Sequence, residues 1–271
     1  RQPLSTLFPY STLFRSARPC SCGREHHIDV REIVIESGAI GKLEKEMSDG
    51  DLKECISPLL ICDTNSYKAT EELMEDIYDR CQVLILDAEG LEADERAVEI
   101  VENYMEEDID LVLAVGAGTI HDLSRFVAHQ YRIPFVSVPT AASSDGFTST
   151  VADMTWNGVK KVFQASAPLF VFADTDIFAK APARLTAAGV SDILGKYIAL
   201  ADWKIASILM DEYYCTAVVD LETKAIRTVK DNLKEIAAED RKSTRLNSSP
   251  ITRTYADICL KKTRVGGGGG G

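Results

Sequence analysis

The chain has 271 residues, 45% of them hydrophobic and 27% charged, which is typical of a globular protein with one large or two ordinary domains. Its formal net charge of −12, from 42 acidic and 30 basic residues, argues against nucleic acid as a partner. No apolar run approaches membrane-spanning length and no signal-peptide pattern begins the chain, so we expect no membrane span and a cytoplasmic location.

Both ends of the chain differ in character from its middle. The phrase STLF occurs twice near the N-terminus, and RKSTRLNSSP begins a C-terminal stretch that finishes in a run of glycines. Both stretches are similar to translated sequencing-adapter read-through, and neither has a pattern that could pack. We therefore expect residues 1–16 and 241–271 to be non-native segments, and the credible protein, residues 17–240, to stop in mid-domain.

The seven cysteines are odd in number and scattered, which indicates reduced thiols rather than a disulfide framework. Cys20 and Cys22, followed by His26 and His27, offer four side chains that could bind zinc. The Cys-x-Cys spacing is shorter than the usual Cys-x2-Cys knuckle, and a leader segment without metal is the simpler interpretation.

Short apolar runs alternate with helical patterns through residues 17–182. This alternation predicts an α/β fold, a Rossmann-like NAD(P)-binding domain with a mostly parallel sheet and helices on both faces. One helix face is formed by residues 73, 74, 77 and 78, and another by residues 97, 101, 104 and 105. The predicted strands are residues 32–36, 59–62, 82–87, 111–115, 134–139 and 169–173.

From Ala183 onward the apolar residues recur at helical spacing with no strand pattern between them. Residues 183–240 are therefore predicted to begin an all-helical domain that is incomplete, and its cleft with the first domain is the expected substrate site. Asp192 lies near the start of this region. It is either a functional carboxylate or an acidic residue favoured by a helix N-terminus.

The stretch Asp110–Asp122, DLVLAVGAGTIHD, combines a buried strand, a glycine turn and the start of a helix. Glycines let the backbone approach an anion, and the free amides at a helix N-terminus can bind it. The alternative is an ordinary turn that needs glycine for steric reasons alone. By itself the pattern leaves both interpretations open.

The next strand leads into PTAASSDGFTS, which spans Pro139–Ser149. Its hydroxyl groups and the carboxylate of Asp145 could bind phosphate, ribose or a substrate hydroxyl, or could satisfy their own loop backbone. Asp63 also follows a strand, where a carboxylate could bind a ribose hydroxyl, cap a helix, or do both.

Five segments occur in one order: VGAGTIHD, PTAASSDGFTS, KKVFQASAP, FADTDI and AAGVSDILGK, followed by ALADWKI. In these segments the chain resembles the sn-glycerol-1-phosphate dehydrogenases, particularly the bacterial type, within the iron-dependent alcohol dehydrogenase and dehydroquinate synthase superfamily. The resemblance covers about Cys20 to Asp240. It implies a homodimeric enzyme that reversibly reduces dihydroxyacetone phosphate to sn-glycerol 1-phosphate with NAD(P)H and a divalent metal, nickel or zinc.

The resemblance also implies roles for individual residues. Asp145 and Asp192 would contact substrate, and Asp192 would act in catalysis as a ligand of the metal. A metal ion would stabilise the alkoxide that develops as hydride arrives. Asp63 would bind the adenosine side of the cofactor, and the other implied cofactor residues are Gly118, Thr119, Ile120, His121, Asp122, Thr140, Ala141, Ala142, Ser143 and Ser149.

The sequence departs from the family pattern in its metal ligands. The other two ligands should be histidines further along the helical region, but the last histidine of this chain is His129. We expect neither His121, facing the cofactor, nor His129, at a solvent-facing helix end, to replace them. The chain as written should therefore bind metal poorly and turn over little or not at all.

The sequence leaves two other functions open. A glycerol or other polyol dehydrogenase of the same superfamily would act on an unphosphorylated substrate, and a nucleotide-binding fragment would have no catalysis. Lys160 and Lys161 are candidate phosphate partners, or simply a solvated turn.

Overall fold

The computed structural model describes residues 18–26 and 30–239. A parallel sheet of six strands forms its centre, and two short antiparallel hairpins lie outside it. The described strands are β1 (Arg18–Pro19), β2 (Glu25–His26), β3 (Glu32–Glu36), β4 (Pro58–Asp63), β5 (Gln82–Leu86), β6 (Leu111–Gly116), β7 (Phe135–Pro139), β8 (Val151–Trp156), β9 (Val159–Gln164) and β10 (Phe170–Asp174).

The helices of the described region connect these strands and then continue alone after β10. They are α1 (Ala39–Ser48), α2 (Thr64–Thr70), α3 (Glu75–Tyr78), α4 (Glu95–Glu102), α5 (Gly118–Tyr131), α6 (Thr175–Phe178), α7 (Ala183–Leu209), α8 (Thr216–Asp231) and α9 (Leu233–Glu239). A single 3₁₀ turn, Gly146–Thr148, interrupts the loop after β7.

The sheet order is β3-β10-β7-β6-β4-β5, and every neighbouring pair is parallel. The predicted α/β class with a parallel sheet is confirmed, and all six predicted strands belong to this sheet. Every residue of β6 and β7 is buried, because helices cover both faces at the sheet centre. The carboxyl ends of β4, β6 and β7 therefore meet at one edge.

The helix predicted around residues 73–78 is wrong in its extent, because residues 71–74 form a turn between α2 and the short helix α3, which begins at Glu75. Helix α2 begins directly after Asp63, whose side chain accepts hydrogen bonds from the amides of Asn65 and Ser66. The Ser66 hydroxyl bonds back to the amide of Asp63 and completes a capping box. Leu73, between the two helices, is 45% exposed.

The β8–β9 hairpin is an element that the sequence analysis did not predict. Its turn is Asn157-Gly158, with φ of 53° and 71°, the left-handed conformations that a tight two-residue hairpin requires. Trp156 and Phe163 of the hairpin pack on Phe126 of α5 with ring centroids 5.3 to 5.8 Å apart. The hairpin thereby packs against α5 and joins the hydrophobic core on that side of the molecule.

Residues 175–239 contain helices and no strand. Helices α7, α8 and α9 share a small apolar cluster around Ile193 and Ile226. Another face of α7 is open, since Ile198 is 70% exposed and Ile208 is 68% exposed. Within the described ranges, no helix is long and apolar enough to cross a bilayer. The domain boundaries at residues 182 and 240 stay predictions.

Candidate active site

A cavity of about 470 Å³ opens at the carboxyl edge of the sheet, between the start of α5, the loop after β7 and helix α7. This is the edge where ligands bind in open α/β sheets. The cavity brings together residues predicted from three separate segments of the sequence. Those among its lining are Gly118, Thr119, His121, Asp122, Asp145, Ser149 and Asp192.

The glycine turn joins β6 to α5 at the back of this cavity. A Cβ atom added to Gly116 would lie 2.7 Å from Cγ1 of Ile120, so only glycine permits the close strand–helix contact. Ala117 precedes the helix and makes no side-chain cap to its first-turn amides. Those amides and the helix dipole fit a pyrophosphate group, and Gly118 leaves the approach open.

The His121 side chain is buried directly behind the turn, with 1% of it exposed. Its Nδ1 lies 2.9 Å from the Ala117 carbonyl oxygen and its Nε2 lies 2.8 Å from the Ser137 hydroxyl oxygen. The carbonyl can only accept, so Nδ1 carries the proton and Nε2 accepts from Ser137. Burial lowers the pKa of His121 to about 3. The neutral ring therefore ties the turn to β7, and neither nitrogen is available to a metal.

Arg125 is a site residue that the sequence analysis missed. Its guanidinium is 1% exposed and donates to the carbonyl oxygens of Gly146, Ser149 and Val151, the last two at 3.0 Å. These bonds anchor the loop that forms one wall of the cavity. Burial raises the pKa of the neighbouring Asp122 carboxyl to about 6, and the Arg125 charge opposes that rise.

Asp145, Asp192 and Lys196 meet at the opposite side of the cavity. The Lys196 Nζ lies 3.0 Å from Asp145 Oδ2 and 3.2 Å from Asp192 Oδ1, and the Asp145 amide donates to Asp192 Oδ2 at 2.9 Å. Asp192 lies inside α7, past its first turn, so the helix-dipole explanation for this acid does not hold. Lys196 was missed, although its spacing of i,i+4 from Asp192 is a visible signal.

The residues around Asp192 do not fit a zinc or nickel ion. No closely spaced group of three histidine, cysteine or carboxylate ligands in the described ranges includes Asp192. The cation that its carboxylate contacts is Lys196. His129 is exposed on α5, with Nδ1 2.9 Å from the Ser166 hydroxyl, and His27 lies outside the described residues. One aspartate without imidazole partners is a poor site for either metal.

The remaining predicted cofactor residues surround the cavity without lining it. Asp63 ends β4, beside the glycine turn, and uses Oδ1 to cap α2. The Thr140 amide donates to the Gly116 carbonyl at 3.0 Å, which ties the loop after β7 to the turn. Ile120 is fully buried in the core. The residues that do not line the cavity are Asp63, Ile120, Thr140, Ala141, Ala142 and Ser143. Lys160 and Lys161 are exposed on β9, also outside the lining.

Comparison of the sequence with protein families matches residues 34–182 to the iron-containing alcohol dehydrogenases. Three relatives named glycerol-1-phosphate dehydrogenase [NAD(P)+] are similar over most of the chain. The Geobacillus stearothermophilus protein is 37% identical over 85% of this chain and 58% of its own length. The Geobacillus thermodenitrificans protein is 36% identical over 82% of this chain and 56% of its own length. The Methanosarcina mazei protein is 36% identical over 80% of this chain and 60% of its own length. The chain thus spans little more than half the length of these relatives.

Solved structures agree on the fold. The glycerol dehydrogenase of Schizosaccharomyces pombe superposes with a TM-score of 0.68 at 18% identity, covering 88% of this chain and 60% of that one. An iron-containing alcohol dehydrogenase of Thermotoga maritima superposes with a TM-score of 0.67 at 17% identity. This match covers 89% of this chain and 68% of that one. At such identities the likeness concerns architecture alone, a parallel sheet followed by helices.

Proposed function

The chain belongs to the iron-containing alcohol dehydrogenase family, and on that basis we propose that its parent protein interconverts dihydroxyacetone phosphate and sn-glycerol 1-phosphate with NAD(P)H. The observation that carries the proposal is the glycine turn at the end of β6, which opens into the same cavity as Asp145 and Asp192. The proposed cofactor-binding turn and the proposed substrate-binding carboxylates would thus share one cavity. The names of the relatives support the phosphorylated substrate.

The chain's own residues fit the cofactor. The first-turn amides of α5 at Gly118 and Thr119 would hold the pyrophosphate, and Oδ2 of Asp63, free of the capping bonds, would accept from a ribose hydroxyl. A bound nicotinamide supplies or receives the hydride. His121 and Arg125 keep the turn and the loop wall in place around it.

At the substrate end, the carboxylates of Asp145 and Asp192 would accept hydrogen bonds from substrate hydroxyls, and Lys196 would supply a positive charge beside them. The residues around Asp192 do not fit a metal ion, and the cation beside its carboxylate is Lys196. We therefore propose that this chain binds the cofactor and turns over little. Cofactor binding needs only the residues of the sheet edge.

Calorimetric titration with NADH and NADPH tests the cofactor seat. We expect binding of at least one of the two, unchanged by a chelator. Replacing Asp63 by Asn keeps the helix cap and removes the charge, so affinity should fall about tenfold with little change in stability. Asp94, which caps α4 away from the cavity, provides the control variant Asp94→Asn. A folded chain that binds neither nucleotide would contradict the proposal.

The substrate is tested by following NADH absorbance with dihydroxyacetone phosphate and with dihydroxyacetone, in the full-length parent and in this chain. The parent should prefer the phosphate, and equal rates would favour the glycerol dehydrogenase alternative. Chelator-sensitive turnover by this chain at the rate of the parent would show that the metal is held after all.

A further inference from the structure

A cluster of three thiols joins the N-terminal hairpin to the helical region, and the proposed dehydrogenase site does not use it. Cys20 and Cys22 lie in the turn between β1 and β2, and Cys215 immediately precedes α8. The Sγ atoms of Cys20 and Cys215 are 3.6 Å apart, and all three Sγ atoms lie within 4.8 Å of one another. None of the three lines the cavity.

The turn between β1 and β2, which carries Cys20 and Cys22, is closed by backbone hydrogen bonds. The Gly23 amide donates to the Cys20 carbonyl at 3.0 Å, and the Cys20 amide donates to the Arg24 carbonyl at 3.2 Å. Gly23 has φ of 80°, the left-handed conformation that closes the turn. The short Cys-x-Cys spacing argued against a metal in the sequence. It is compensated by a third thiol, Cys215, which lies 193 residues after Cys22 and immediately before α8.

We propose that Cys20, Cys22 and Cys215 bind a zinc ion that fastens the hairpin to the segment between α7 and α8. A zinc–sulfur bond of about 2.3 Å in a tetrahedron puts neighbouring sulfur atoms about 3.8 Å apart, close to the observed Cys20–Cys215 separation. Soft thiolates select zinc over magnesium or calcium. The zinc site is structural and separate from the dehydrogenase cavity.

Hydrogen bonds and ring stacking hold the side chains around the three thiols in place. The Tyr213 hydroxyl lies 2.9 Å from Cys22 Sγ, and the Arg24 guanidinium stacks 3.8 Å from the Tyr213 ring centroid. The Trp203 indole of α7 donates to the Tyr213 carbonyl at 2.6 Å and holds this segment to the helix. Cys215 is fully buried immediately before α8, so its position beside the hairpin is fixed by packing.

A disulfide between Cys20 and Cys215 is the competing use of this cluster. It would need the two sulfur atoms about 2.0 Å apart and would employ only two of three converging thiols. A zinc ion employs all three. Structural zinc takes four ligands, and His26, four residues after Cys22 in the sequence, offers an imidazole for the fourth position. The variant His26→Ala tests this ligand.

The first test measures zinc in the full chain purified without chelator, by mass spectrometry of the metal. We expect about one zinc per chain, and a lower melting temperature after its removal. Cys22→Ser and Cys215→Ser should lose the zinc, whereas Cys81→Ser, at a thiol outside the cluster, should keep it. His26→Ala should also lose it. NADH affinity should not change when zinc is removed.

A spectroscopic test on the unaltered chain covers the case in which a cysteine variant fails to fold. Cobalt added to the metal-free chain should give thiolate-to-cobalt charge-transfer bands and the visible bands of a tetrahedral ion. The proposal is overturned by an absence of zinc together with an absence of these cobalt bands. It is equally overturned by zinc that persists in the cysteine variants, or by a Cys20–Cys215 disulfide found in metal-free protein by thiol counting and peptide mapping.

Discussion

At the scale of single residues, the cavity depends on two buried polar side chains, His121 and Arg125, whose hydrogen bonds go to other groups of the protein. His121 ties the glycine turn to β7, and Arg125 ties the loop wall to α5. Each side chain forms hydrogen bonds with buried protein groups, and those groups would be left unpaired without it. Buried groups of this kind are costly to remove, because the partners remain buried when the donor is gone.

Replacing Arg125 by Met should lower the free energy of unfolding by about 3 kcal/mol, since three carbonyls lose a charged donor inside the protein. NADH affinity should fall with it as the loop wall relaxes. Urea unfolding and calorimetry measure the two effects. Arg96, an exposed cation paired with Asp94, provides the control, and Arg96→Met should leave the free energy of unfolding nearly unchanged. Equal losses in the two variants would contradict the role of Arg125.

The pKa of His121 makes the chain sensitive to acid. Because this pKa is about 3 in the folded protein, the unfolded state alone takes up the proton as pH falls below about 6.5. The contribution of neutral, buried His121 to the free energy of unfolding is therefore complete above about pH 6.5. It is lost as the pH falls from 6.5 to 3, by up to about 1.4 kcal/mol per pH unit. His121→Gln should flatten the urea-midpoint profile over this window. The exposed His129→Gln should leave the slope as it is.

At the scale of elements, the β6–α5 junction needs the absence of a side chain at Gly116. Gly116→Ala would put a Cβ 2.7 Å from Cγ1 of Ile120, a β-branched residue with little rotamer freedom. We expect a loss of about 1 to 3 kcal/mol and weaker NADH binding, because the first turn of α5 is pushed from its place. Denaturant unfolding and nucleotide titration measure both.

The matched control is Gly195, in the middle of α7, where an added Cβ meets no atom within 4 Å. Gly195→Ala should raise the stability by up to about 1 kcal/mol, because alanine is the better helix former. A Gly116→Ala variant as stable as Gly195→Ala would exclude the close contact as the reason for glycine at the turn.

At the scale of the whole molecule, the open face of α7 should govern behaviour in solution. Ile198, Ile205 and Ile208 are each more than half exposed on it, which favours self-association. Replacing Ile198 and Ile208 by Glu should reduce concentration-dependent association in sedimentation velocity and reduce binding of a hydrophobic dye, with little loss of stability. Ile193→Glu, at a fully buried position of the same helix, should unfold the helical region instead.

Much of the fold and part of the candidate site followed from local pattern. Apolar runs bounded by turns predicted the six strands, and the glycines after β6 predicted the turn, because both depend on backbone geometry within a few residues. The β8–β9 hairpin was missed although its Asn157-Gly158 turn was a local signal.

The sequence by itself therefore determined the α/β class, the glycine turn after the fourth sheet strand in chain order and the family resemblance, because each depends on residues close together in the chain. Only the tertiary structure decided that Arg125 bonds to the carbonyls of a distant loop, that Lys196 lies between Asp145 and Asp192, and that Cys215 meets Cys20. Such pairings arise when packing brings together residues far apart in the chain. Periodicity carries no information about them, because it records which face of an element is buried and not what lies opposite that face.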